Sequence, residues 1–152
     1  MADLLECLIQ IKGVGDTPRR LTHRVADALD RASSREAVVD LARAVAARLA
    51  TAELRFGECL SLILSHDRPM LPTVVTAGPD GPLSGTSDDW QERFAARRAE
   101  TMQVLESCSA EQLNRIGIEP SRGPMTVADL VALMLAHDTD TLGELIDNRL
   151  GR

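Results

Sequence analysis

The chain has few aromatic side chains, no tyrosine and no basic stripe. Aromatic residues make up 2% of its 152 residues, so the core must be built from Leu, Ala, Val, Ile and Met, a mix that favours helices. A surface that stacks single-stranded nucleic acid needs several aromatic rings, and the chain offers Trp90, Phe56 and Phe94 alone. With a net charge of −6, we expect no nucleic-acid partner.

Cysteines and membrane-targeting features are equally sparse. Cys7, Cys59 and Cys108 are odd in number and widely separated, which fits neither a disulfide framework nor a zinc ribbon. No apolar run approaches the ~18 residues of a membrane span, and the N-terminal run MADLLECLIQ lacks the basic region of a signal peptide. We therefore expect a cytoplasmic protein with reduced thiols and no membrane partner.

No motif predicts nucleotide binding or covalent catalysis. Gly13-Val14-Gly15 lacks the third glycine and the preceding strand of a dinucleotide fingerprint. No Ser, His and Asp set suggests a triad, and Cys59 on an apolar helical stripe is more typical of a small core residue than of a nucleophile. The sequence therefore leaves enzymatic activity uncertain.

Apolar residues recur at helical spacing along most of the chain, whose length suits one domain over residues 1–152. The longest pattern covers residues 34–66, after a capping box of Ser33 with Glu36. Residues 1–31 form either one broken helix or, as we prefer, two. Residues 69–86 are rich in Pro and Gly and predict a long connection with few apolar anchors. These patterns predict an all-α four-helix bundle with a long crossover loop after the second main helix.

The last predicted helix, over residues 126–148, carries polar residues on its apolar stripe. Thr126 and Asp129 resemble a capping box at its start. Asp138 falls near the middle of the stripe, and His137 and Thr141 form an i, i+4 pair at its edge. Because an unpaired buried carboxylate is costly, we expect Asp138 to be at least partly buried. Its partner is then one of two arginines: Arg98, on the stripe of the third main helix, or Arg48, on the flank of the second helix's stripe.

The order and spacing of these motifs resemble the DinB/YfiT-like four-helix bundles. The similarity covers nearly the whole chain from Thr17 onward. It is carried by the run VAARLATAELRFGECLSLILSHDRPMLP at residues 45–72 and by Phe94 with Arg98, Leu105, Gln112-Leu113, Arg115 with Gly117, Arg122-Gly123, Thr126-Val127 and His137-Asp138.

This resemblance implies a divalent metal, nickel or zinc, held by three histidines inside the bundle. One ligand comes from the second helix just before a Leu, and two come from the last helix as H-x-x-x-H. The matching positions here are Arg48 before Leu49, then His137 and Thr141. His137 is thus the only retained ligand position. Arg48 cannot coordinate a metal because its guanidinium stays protonated, so we expect no metal cofactor.

Two hypotheses follow from the resemblance and its departures. The first is a bundle without the three-histidine metal site, which binds a small molecule or a protein partner and forms a homodimer as many family members do. Its candidate pocket residues are Arg48, Arg98, His137, Asp138 and Thr141. The second is a cytoplasmic thiol-dependent transferase or isomerase with an altered or metal-dependent site, since family members of known activity resemble such enzymes.

Overall fold

The architecture is a bundle of helices with one small hairpin. The computed structural model describes residues 2–11, 17–34, 38–74 and 83–149. Its elements are α1 (Ala2–Ile11), α2 (Pro18–Ser33), α3 (Val39–Ser65), α4 (Ser87–Ser107), α5 (Ala110–Leu113), β1 (Ile116–Glu119), β2 (Gly123–Thr126) and α6 (Val127–Arg149).

The four long helices α2, α3, α4 and α6 form the bundle. The α3 helix packs most extensively against α4, and α6 packs against both α2 and α3. The core between them consists mainly of Leu, Ala, Val and Ile, with Phe56 and Phe94 as its fully buried aromatic rings. The predicted four-helix bundle with a long crossover after the second main helix is therefore confirmed.

Local capping sets where most of these helices begin. At α4, the hydroxyl of Thr86 accepts from the Asp89 amide at 3.2 Å, and the Asp89 carboxylate accepts from the Thr86 amide at 2.8 Å. Thr126 and Asp129 form the same reciprocal pair before α6, at 2.9 and 3.0 Å. Each pair satisfies two amides that have no partner within the helix. Thr17 caps α2, with Pro18 at its first position.

The start of α3 differs from the sequence-based prediction. Ser33 is the last residue of α2 and Ser34 is its C-cap, so the predicted start of the next helix at residue 34 is wrong. The α3 helix begins at Val39 after Val38, which supplies no side-chain cap. The hydroxyl of Ser33 instead lies 2.7 Å from the hydroxyl of Ser87, so it links α2 to α4. Glu36, the other half of the predicted capping box, lies outside the described residues.

The crossover between α3 and α4 is tied to a hairpin that the sequence did not predict. Strands β1 and β2 pair antiparallel, and the crossover adds a short parallel bridge between Met70 and Ile118. Leu71 and Val74 are buried, so the prediction of few apolar anchors fails for residues 69–74. A Cβ at Gly117 would lie 2.8 Å from Ile63 and 2.9 Å from Leu71. A larger residue here would require the side chains of Ile63 and Leu71 to shift.

No helix in the described ranges is both long and apolar enough to cross a bilayer.

Candidate functional site

Three of the predicted pocket residues meet between α3 and α6. Arg48 from α3 and His137 and Thr141 from α6 line a pocket of about 330 Å³. Its wall also includes Arg122, from the turn of the hairpin, and Glu144, one helical turn beyond Thr141. The helical spacing of the α6 residues explains their shared face. The sequence did not single out Arg122 or Glu144, because the hairpin and the α3–α6 register are tertiary features.

Arg48 is held by an ion pair at the mouth of this pocket. Its Nη2 donates to Oε2 of Glu144 at 2.7 Å, and the two side chains are 31% and 50% exposed. The Nε of Arg48 is buried and has no hydrogen-bond partner among the described residues. The guanidinium is thus oriented by one carboxylate, which water or another anion can replace because the pair is solvent-accessible.

His137 is the most buried ionisable group of the pocket, with its side chain 5% exposed. Its ring meets the ring of Phe56 edge-on, with centroids 6.3 Å apart. The Nδ1 atom lies 3.8 Å from Oδ1 of Asp138 and has no hydrogen-bond partner among the described residues. Among the described residues, packing against Phe56 therefore contributes more to the position of the imidazole than any hydrogen bond at Nδ1.

Asp138 and Arg98 lie in a separate, buried cluster. Nη2 of Arg98 donates to Oδ2 of Asp138 at 2.6 Å and to Oε2 of Glu53 at 2.8 Å. Nη1 of Arg98 donates to the hydroxyl of Thr22 at 2.9 Å. We call these four residues the Arg98 cluster. Asp138 is 2% exposed, so its predicted burial and pairing are confirmed, and Arg98 is its partner. Neither Asp138 nor Arg98 lines the Arg48 pocket.

The electrostatics of the Arg98 cluster keep Arg98 positively charged. Burial by itself lowers the pKa of Arg98, but the attraction of Glu53 and Asp138 and their hydrogen bonds raise it above its ordinary value. The guanidinium also lies over the ring of Phe94, 4.9 Å from its centroid, which adds a cation–π contact. Arg98 therefore remains charged, and the cluster has a structural role.

Sequence reasoning missed two members of this cluster, Glu53 and Thr22. A signal for Glu53 was present, because it lies four residues after Leu49 and three before Phe56, on the same helical face. Thr22 gave no comparable signal. It is half-buried beside the α2 stripe, and its own hydroxyl donates to the Pro18 carbonyl at 2.7 Å.

The donor set of the Arg48 pocket is poor in metal ligands. The hydroxyl of Thr141 donates to the His137 carbonyl at 2.8 Å, and Arg48 is engaged with Glu144. His23 and His66 are exposed elsewhere. Within the described ranges, no three His, Cys, Asp or Glu side chains come together as a metal site would require. The residues present do not fit a three-histidine site.

The buried thiols are also unsuited to reaction. Burial raises the pKa of Cys59 to about 11 and also raises the pKa of Cys108. Since the thiolate is the reactive form, both cysteines act as small core residues, as predicted for Cys59.

Comparison with known proteins agrees with this architecture. The chain superimposes on YfiT from Bacillus subtilis, described as a probable metal-dependent hydrolase with an unusual four-helix bundle topology, with a TM-score of 0.70 and 12% identity over 90% of this chain and 89% of the other. No curated protein gives a significant match. The sequence model of the DinB superfamily matches residues 66–145, slightly more than half of the chain. The chain therefore belongs to the DinB superfamily.

Proposed function

We propose that this chain is a ligand-binding DinB-superfamily bundle that works without the family's three-histidine metal. Its ligand is a small molecule with an anionic group, bound in the Arg48 pocket. The observation that carries the proposal is the position of Arg48, which lines one pocket with His137 and Thr141. A guanidinium there supplies the positive charge that a divalent metal would supply in a relative.

The guanidinium groups of the pocket support an anionic group on the ligand. Arg48 and Arg122 bring two guanidinium groups, beside the carboxylates of Asp140 and Glu144, to a volume of about 330 Å³, which is at the small end of known ligand pockets. Guanidinium groups bind carboxylates and phosphates through paired hydrogen bonds. In the free protein, the Glu144 carboxylate pairs with Arg48 at 2.7 Å. An anionic ligand would displace this exposed carboxylate.

Calorimetric titration with succinate and with inorganic phosphate tests this proposal. We expect at least one of these anions to bind and to raise the thermal midpoint, as any ligand selective for the native state does. Arg48→Gln should weaken binding at least tenfold. Glu144→Gln should tighten it, because the competing carboxylate is removed. Absence of binding by both anions, or binding unchanged in Arg48→Gln, would contradict the proposal.

Arg55 provides a matched control for these titrations. It lies on the same helix as Arg48, is similarly exposed, and pairs with Glu58 at 2.9 Å. Arg55→Gln removes one positive charge from α3 without touching the Arg48 pocket. Its anion affinity should equal that of the unaltered protein, and an equal loss in both variants would indicate a nonspecific charge effect.

The alternative function is a thiol-dependent transferase or isomerase with an altered or metal-dependent site. It is favoured by the buried imidazole of His137, whose Nδ1 has no partner among the described residues, and by the description of YfiT as a probable metal-dependent hydrolase. Elemental analysis separates the two. One nickel or zinc per chain, lost in His137→Ala, would overturn the main proposal in favour of the enzyme.

The proposal also includes the protein's setting. We infer a single bundle domain over residues 1–152, a cytoplasmic location and a homodimer, as the family resemblance implies. Light scattering of the purified protein measures the assembly directly. A monomer at micromolar concentration would remove the dimer from the proposal without affecting the pocket.

A further inference from the structure

A second and larger cavity lies on the opposite part of α3, along its contact with α4. It measures about 770 Å³ and shares no residue with the Arg48 pocket. We call it the α3–α4 groove. Its apolar wall includes Leu54 and Val104, which are 47% and 40% exposed although both are large apolar residues. This volume suits a small organic molecule.

The floor of the groove holds a carboxylate that is only half satisfied. Glu53 lines the groove and is 2% exposed. Its Oε2 accepts from Arg98 at 2.8 Å, whereas its Oε1 is buried without a hydrogen-bond partner among the described residues. A buried carboxylate oxygen without a donor is unfavourable. A donor group on a molecule in the groove would satisfy it.

Gly57 keeps the groove open one helical turn beyond Glu53. Apart from proline, glycine is the least favourable residue in a helix interior, and Gly57 lies in the middle of α3. Packing does not require it, because a Cβ at this position would have no atom within 4 Å. The space that a side chain would fill is the groove itself.

Several charged side chains line the groove. Three carboxylates line it, those of Glu53, Glu58 and Glu100, against the guanidinium of Arg97. Arg97 is engaged, since its Nη1 donates to the Ala50 carbonyl at 2.8 Å. Glu53 is paired with Arg98 and Glu58 with Arg55. What the groove offers is therefore an apolar wall beside one carboxylate oxygen, Oε1 of Glu53, that has no hydrogen-bond donor among the described residues.

We infer that the α3–α4 groove binds a small amine with an apolar body, whose protonated amino group donates to the free oxygen of Glu53. A primary ammonium carries N–H donors for this oxygen, whereas a quaternary ammonium has the same charge and no donor. Comparing a primary with a quaternary ammonium therefore distinguishes a specific contact at Glu53 from general attraction to an acidic surface.

The test compares four probes of one chain length by calorimetry and by amide chemical shifts: n-hexylamine, hexyltrimethylammonium, hexanol and hexanoate. We expect hexylamine to bind one site, with shifts centred on the groove residues of α3 and α4. Hexyltrimethylammonium and hexanol should bind at least tenfold more weakly, and hexanoate should not bind. Equal binding of hexylamine and hexyltrimethylammonium, or shifts centred elsewhere, would overturn the inference.

Filling the groove gives the second arm of the test. Gly57→Leu should lower hexylamine affinity at least tenfold and leave the thermal midpoint unchanged or raised, because the new side chain enters open space and favours the helix. Gly143→Leu is the matched control, since Gly143 lies inside α6 and its Cβ would also have no atom within 4 Å. This control should bind hexylamine normally.

Two outcomes of the variant experiment would contradict the inference. Unchanged hexylamine affinity in Gly57→Leu places the amine outside the groove. A change in oligomeric state in that variant, with no amine binding in the unaltered protein, assigns the groove to a second copy of the chain. If Gly57→Leu does not fold, Gly57→Ala tests the same space, and its smaller side chain should cause a smaller loss of hexylamine affinity.

Discussion

Arg98 and Arg48 both pair with carboxylates inside the same bundle, but only one of them is accessible to water. The side chains of Arg98, Glu53 and Asp138 are 1–2% exposed, whereas those of Arg48 and Glu144 are 31% and 50% exposed. Taking a charge out of water makes its partners indispensable. An exposed pair contributes little to stability and can exchange its partner. Burial indicates a structural role for Arg98, and the exposure of Arg48 supports the ligand-binding role proposed for it.

Breaking the Arg98 cluster should give the largest effect. Arg98→Leu leaves Glu53 and Asp138 buried without their cation, and Asp138→Ala removes one carboxylate from Arg98. Each should lower the free energy of unfolding by about 3–5 kcal/mol, as measured by urea denaturation. A loss below about 1 kcal/mol would mean that water enters the cluster. Replacing Arg98, Glu53 and Asp138 together by apolar residues should recover much of the loss, because no charge is then left unpaired.

Placing histidines at residues 48 and 141 should replace the guanidinium charge of the Arg48 pocket by a bound metal ion. Arg48→His with Thr141→His provides three imidazoles at the matching positions, together with His137. We expect nickel or zinc to bind and to stabilise the variant by about 2.7 kcal/mol when the metal is at one hundred times its Kd. Arg48→His with Thr141→Ala is the control with one imidazole fewer. A folded double variant without metal uptake would show that these positions are not arranged as ligands.

Removing the exposed ion pair of Arg48 with Glu144 should affect stability much less than breaking the Arg98 cluster. Arg48→Leu should change the free energy of unfolding by less than about 1 kcal/mol, since a solvent-accessible ion pair contributes at most that amount. The urea experiment used for Arg98→Leu measures it. A loss equal to that of Arg98→Leu would place Arg48 among the structural charges and remove the main argument for a ligand at this pocket.

Mild acid should have the smallest effect on stability. It should not act through Arg98, because the raised pKa of Arg98 keeps that side chain charged. Hydrogen bonds from the Thr86 amide and hydroxyl lower the pKa of Asp89 from its usual 3.8. For Glu119, burial acts to raise the pKa, but hydrogen bonds from Ser121 and the backbone lower it from its usual 4.5. Because both values fall on folding, the stability these groups contribute is present above pH 4.5 and is lost as pH falls through the folded values.

A series of thermal midpoints from pH 6 to pH 3 measures this loss. The decline should be shallower in Asp89→Asn, which can still accept from the Thr86 amide but does not titrate in this range. An identical pH profile for the variant would show that Asp89 does not contribute to the acid sensitivity.

Features set by neighbours in the sequence could be predicted, and features set by packing could not. The capping pair Thr126/Asp129 is complete within four residues, so its spacing predicts it. The same spacing at Ser33 and Glu36 predicted a helix start that α3 does not have. The apolar stripes predicted that Asp138 pairs with Arg98 or Arg48, and the structure decides for Arg98. The hairpin could not be predicted, because its strands are four residues long and carry the Gly and Pro of a turn. Without the hairpin, Arg122 could not be placed at the Arg48 pocket.

The composition of the Arg98 cluster has a consequence for folding. Arg98 lies on α4, and its three hydrogen-bond partners come one each from α2, α3 and α6. A bundle with any one main helix undocked leaves the charged group short of a partner or exposed to water. Such partly assembled states are less stable, relative to the native state, than they would be if the cluster were apolar. The cluster therefore promotes cooperativity, so that the four helices unfold in one transition.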